Sequence, residues 1–76
     1  MLSNKLREIR RKANMTQEQL ADKTDVRRET IIRLEKNLYN PSLELAFKIA
    51  NVLHCDINVI FQYSNNKNEH EVDLWY

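Results

Sequence analysis

The sequence predicts an all-α fold of five short helices, finished by a short C-terminal β-strand. Three observations carry that prediction. Apolar residues recur at helical spacing in one short window after another. Thr16, Ser42 and Asp56, residue types that start helices, stand just before such windows. The chain has 76 residues, enough for one modest helical core and too few for a deep catalytic cleft.

Taken in order, Leu2, Leu6, Ile9 and Ala13 fall at intervals of four, three and four, marking a first helix with its charges outward. Asn14–Met15 breaks it. Thr16 then caps a second helix, and Gln19, three residues on, reaches back to the cap, so two orphan amides are satisfied at once. Leu20, Ala21 and Thr24 share its buried face. The chain turns over Asp25–Val26 into a third helix, with Ile31 and Leu34 inward and Arg27, Arg28, Glu29, Ile32 and Arg33 outward. A loop, KNLYNP, holds the only proline. Ser42 caps a fourth helix that buries Leu45, Ala46, Ile49, Ala50 and Leu53. Asp56 caps a short fifth helix carrying Ile57, Ile60 and Phe61. Residues 1–63 thus form one domain and 64–76 a tail. The tail is polar from Ser64 to His70, and in EVDLWY the apolar Val72, Leu74 and Tyr76 alternate with other residues, which favours a strand over a helix.

Composition narrows the function classes. No apolar run spans a bilayer and no signal peptide opens the chain, so a cytoplasmic protein is expected. A single cysteine rules out an internal disulfide and any multi-cysteine zinc site. His54 and Cys55 are neighbours but too few for a metal, and Cys55 is expected as a buried thiol. No nucleophile, base and orienting group come together, which argues against an enzyme; no cofactor or small-molecule ligand is implied. The net charge is only +1, but it is unevenly spread. Residues 1–40 hold ten Lys/Arg against six Asp/Glu, a net of +4, while residues 41–76 hold two against five, a net of −3.

The positive half contains TQEQLADKTDVRRETIIRLE, two amphipathic helices around a tight turn with arginines on the second. That arrangement pushes a helix into the DNA major groove in many proteins. The stretch from about Asn4 to Phe61 resembles the phage-repressor (Cro/Xre-type) helix-turn-helix family: TQEQLA opens the second helix, ETIIRLE fills the third, and YNPSLELAFKIANVL leads into and forms the fourth. The resemblance implies a five-helix, repressor-like DNA-binding domain, a transcriptional regulator that works as a homodimer on palindromic double-stranded DNA. It also implies that Gln17 touches a phosphate, that Arg28, Glu29 and Arg33 face base edges, and that Arg10 and Glu35 form an ion pair tying the first helix to the third. The family commonly has glycine at three turns where this glycine-free chain has Asp25, Asn37 and His54, types that tolerate a left-handed backbone.

Side-chain geometry fills in the reading face. Arg28 and Arg33 can each present a fork to guanine O6 and N7, and Glu29 can accept from a cytosine amino group. Ile32 can pack on a thymine methyl. Arg27, Lys36, Tyr39 and Asn40, with Gln17, lie where backbone contacts fix register. A plainer reading has Glu29 pairing with Arg33 four residues on, a helix-surface pair worth roughly 0.2–0.5 kcal/mol. Val59, Tyr63, Val72, Leu74, Trp75 and Tyr76 are left over once the helical core is filled and are the expected dimer interface. The tail either pairs with a second copy or folds back over its own domain. An antitoxin-like protein-interaction module is the alternative to a regulator.

Overall fold

Local signals in the chain produce four helices of two to three turns, two of them started by a side-chain cap and all four stopped by a left-handed residue. The computed structural model describes residues 2–64. Its elements are β1 (Leu2–Asn4), α1 (Leu6–Lys12), α2 (Gln17–Thr24), α3 (Arg28–Glu35), α4 (Leu43–Leu53), α5 (Ile57–Ile60) and β2 (Phe61–Tyr63).

The expected starts are in place at two helices. Thr16 Oγ1 accepts from Gln19 N at 3.0 Å and Gln19 Oε1 accepts from Thr16 N at 2.9 Å, a complete capping box. Ser42 Oγ accepts from Leu45 N at 3.1 Å. Asp56 stands at the start of α5 but its side chain makes no capping hydrogen bond, so that expectation is corrected. The helix is a single turn, positioned by the burial of Ile60.

All four longer helices stop in the same way. Asn14, Asp25, Asn37 and His54 take positive φ of 54–60°. The following amides of Met15, Val26, Leu38 and Cys55 reach back to Arg10 O, Ala21 O, Arg33 O and Ala50 O at 2.9–3.1 Å. This is the paired hydrogen-bond pattern of a left-handed helix terminus, here built four times without glycine. Asp25, Asn37 and His54 match the expectation; Asn14, expected only as a break after the first helix, is a fourth such site. Met15, Val26 and Cys55 then pack against the core, whereas Leu38 remains 64% exposed. Cys55 is half-buried, not the fully buried thiol expected, and its Sγ lies 3.3 Å from Leu53 O.

The core is Leu6, Leu20, Ala21, Ile31, Leu34, Leu45, Ile49, Ala50, Leu53 and Ile60, with Ile9, Ile57 and Phe61 half-buried against it; Ala13, expected on the inner face of α1, is exposed at the end of that helix. Each large member contributes roughly 1.5–3 kcal/mol on burial. Thr24 is buried among them because its hydroxyl donates to Leu20 O at 2.7 Å.

Two expectations fail at the ends of the domain. Leu2 does not begin α1, and Phe61 does not continue α5. Both belong to a two-stranded antiparallel sheet in which Leu2 faces Tyr63, Ser3 faces Gln62 and Asn4 faces Phe61. Asn4 explains the break. Its Oδ1 accepts from Leu6 N at 3.1 Å, starting α1, while its Nδ2 donates to Leu34 O at 2.8 Å and Asn37 Oδ1 at 2.9 Å. One side chain therefore fixes the start of α1 against the end of α3. The strand expected at Val72, Leu74 and Tyr76 lies outside the described residues. No helix among the described residues is long and apolar enough to cross a membrane.

Candidate nucleic-acid interface

The α3 helix is held by one face and offers the other. Ile31 and Leu34 are wholly buried, anchoring it against α2 and the core. On the outer side Arg28, Glu29 and Arg33 are exposed and Ile32 is half-buried between them. The helix starts at Arg27, which is extended (φ −77°, ψ 152°) and supplies no side-chain cap. The α3 N-terminus therefore has a cation where a small hydroxyl residue would satisfy its amides. Arg27, Lys36, Tyr39 and Asn40 are all exposed around the ends of this face.

The plain reading of Glu29 as a partner for Arg33 is not realised. Among the described residues the ion pairs are Arg10–Glu35 and Glu44–Lys48. The four outward residues of α3 are consequently uncommitted, with two forked donors, one carboxylate acceptor and one apolar contact on a single surface.

The orientation of that surface is set from beneath. Arg10, on α1, is 7% exposed. Its Nε donates to Glu35 Oε2 at 2.6 Å, Nη2 to Glu35 Oε1 at 3.3 Å and Nη1 to Met15 O at 2.8 Å. Gln17 Nε2 donates to the same Glu35 Oε1 at 3.0 Å. The Glu35 carboxylate at the end of α3 thus ties α1 to the start of α2, and the Arg10 guanidinium that it holds ties in the α1–α2 turn through Met15 O. The expected ion pair is present, and it is more extended than the sequence indicates. Gln17, expected at a phosphate, spends one amide N–H on Glu35 and keeps a second for an outside acceptor.

Beside this network a groove of about 760 Å³ runs between α1, the start of α2 and α3. Arg7 and Arg11 line it from α1, and Arg28, Ile32 and Lys36 line it from the α3 side. Sequence reasoning did not assign Arg7 or Arg11 a role. Their four-residue spacing puts them on one face of α1, but only the packing of α1 against α3 brings that face to the groove. Of the expected dimer residues, Val59 is 51% and Tyr63 73% exposed. Val72, Leu74, Trp75 and Tyr76 lie outside the described residues.

The helix-turn-helix family model matches residues 6–60 of the chain. An "Uncharacterized HTH-type transcriptional regulator" of Archaeoglobus fulgidus is 49% identical over 74 residues, covering 97% of this chain and 96% of that protein. A protein of the same description from Methanocaldococcus jannaschii is 48% identical over 66 residues, covering 87% of this chain and all of that one. Among solved structures, a candidate DNA-binding protein from Bacteroides fragilis superposes with a TM-score of 0.76 at 26% identity, covering 82% of this chain and the whole of that one.

Proposed function

We propose, for a chain that belongs to the helix-turn-helix family of DNA-binding transcriptional regulators, that α3 reads base edges in the major groove of a palindromic operator and that the protein is a cytoplasmic, homodimeric repressor. The observation that carries the reading is the mixed, uncommitted outer face of α3. Arg28 and Arg33 donate to guanine, Glu29 accepts from cytosine and Ile32 covers a thymine methyl. Gln17, Arg27, Lys36, Tyr39 and Asn40 hold the sugar-phosphate backbone around that helix. The Arg10–Glu35 pair keeps the two contact regions in register and does not itself read sequence.

A single domain reads only a few base pairs, so a second copy with its α3 about 34 Å away completes the site. Exposed Val59 and Tyr63 favour a twofold contact through α5 and β2, extended by Val72, Leu74, Trp75 and Tyr76. Selection of duplexes from a random-sequence pool tests the reading directly: the wild-type chain should enrich a palindrome. Replacing Arg33 by Ala should cost about 1–3 kcal/mol and relax the preference at one position of each half-site. Loss of affinity by the same factor on every sequence would assign Arg33 to phosphate instead.

A further inference from the structure

We infer that the groove between α1 and α3 is a phosphate-binding strip, with Arg7 and Arg11 holding the backbone of the same duplex whose bases α3 reads. The inference rests on the DNA-reading role of α3 and extends it to a helix that the reading leaves unused.

The charge balance of the groove is the first argument. Its lining has five cationic side chains and two carboxylates. Arg10 and Glu35 neutralise each other at 2.6 Å, which leaves Arg7, Arg11, Arg28 and Lys36 against Glu18 alone. None of these four cations has an ion-pair partner among the described residues. A concave surface of one sign concentrates its field, so cations drawn from two helices attract an anion more strongly than the same cations spread over a convex face.

Helix energetics point the same way. Arg7 and Arg11 stand four residues apart on the seven-residue α1, a like-charge spacing that weakens a helix. Arg7 is exposed, and among the described residues its side chain has neither an ion-pair nor a hydrogen-bond partner. The charge is therefore better explained by an external partner than by stability.

Continuity identifies the partner. Arg28 and Ile32 belong both to the groove lining and to the outer face of α3, so the groove opens directly onto the reading surface. A polyanion seated on the Arg28 and Ile32 side of α3 meets the same groove that Arg7 and Arg11 line. The phosphodiester backbone of a duplex is such a polyanion; an acidic peptide would have no reason to track α3.

The test compares wild type with the Arg7→Gln/Arg11→Gln double variant by fluorescence anisotropy from about 50 to 200 mM salt. The probes are the duplex enriched by the wild type and an unrelated duplex of equal length. The salt slope of log affinity should fall by about 2, one for each phosphate released, and by the same amount on both duplexes. Affinity at the low-salt end should drop on both, with their ratio unchanged, and Arg7→Lys/Arg11→Lys should restore the slope. Circular dichroism melting should show the double variant still folded. An unchanged slope in a folded double variant would overturn the inference, as would a loss confined to the enriched duplex. If the wild type binds duplexes with a steep salt slope but enriches no sequence, base reading by α3 fails while the strip stands. A wild type that binds no duplex, or only an acidic polypeptide, sinks both.

Discussion

Replacing Glu35 by Ala is the sharpest perturbation of the scaffold beneath the reading helix. The Glu35 side chain is 4% exposed and that of Arg10 is 9% exposed, so the pair is effectively out of water. Glu35 accepts two hydrogen bonds from Arg10 and one from Gln17. Without it, the buried guanidinium keeps only the Met15 carbonyl. Removing one partner of a buried pair costs about 3–5 kcal/mol, because the other charge stays buried and uncompensated. A 76-residue chain has a total stability of about 4–11 kcal/mol, so this single change removes a large fraction of it. In urea denaturation followed by far-ultraviolet circular dichroism, the midpoint should fall steeply with the slope m unchanged. The melting temperature should drop by at least about 12 °C. The double variant Arg10→Met/Glu35→Leu should recover most or all of the loss, since an apolar pair of similar volume carries no desolvation cost. A Glu35→Ala loss below about 1 kcal/mol, the worth of an exposed pair, would refute the reasoning.

Asp25→Gly relieves a left-handed residue at about 1 kcal/mol and removes a carboxylate from the negative end of α2, while the freer unfolded chain returns some of that gain. A net rise of a few °C in melting temperature with unchanged DNA affinity is expected; a fall would show that Asp25 makes a contact the geometry does not account for. Truncation after Ser64 should convert a dimer into a monomer by light scattering while leaving the helical circular dichroism in place. A truncated chain that stays dimeric would remove the tail from the interface.

What was legible in the sequence is what is local. The buried faces of α2, α3 and α4 and the caps at Thr16 and Ser42 follow from residues within a few positions of one another, whereas the left-handed turns at Asp25, Asn37 and His54 follow from the family resemblance, which has glycine at those places. Leu2 was misread because its spacing of four from Leu6 satisfies a helix, while its actual partner, Tyr63, is at the other end of the described chain. Asn4 was missed for the same reason: its contacts with Leu34 and Asn37 depend on where α3 ends, not on neighbouring sequence. The outer face of α3 was legible because one helix displays all four of its residues. The convergence of Arg7 and Arg11 on that face was not, since it requires the crossing of α1 and α3.

Pairing Leu2–Asn4 with Phe61–Tyr63 also has a consequence for biosynthesis. The first strand leaves the ribosome early and waits until the last element of the domain has emerged before its backbone groups find their partners. Lys5 N, just after it, likewise waits for Ile60 O, which it meets at 2.8 Å. The helices can form on nearby contacts as they appear, but the strap that closes the domain is a non-local contact and forms late. A nascent chain arrested before Phe61 would therefore carry the reading helix without the closure that joins its two ends, and would be the form most exposed to proteases and chaperones.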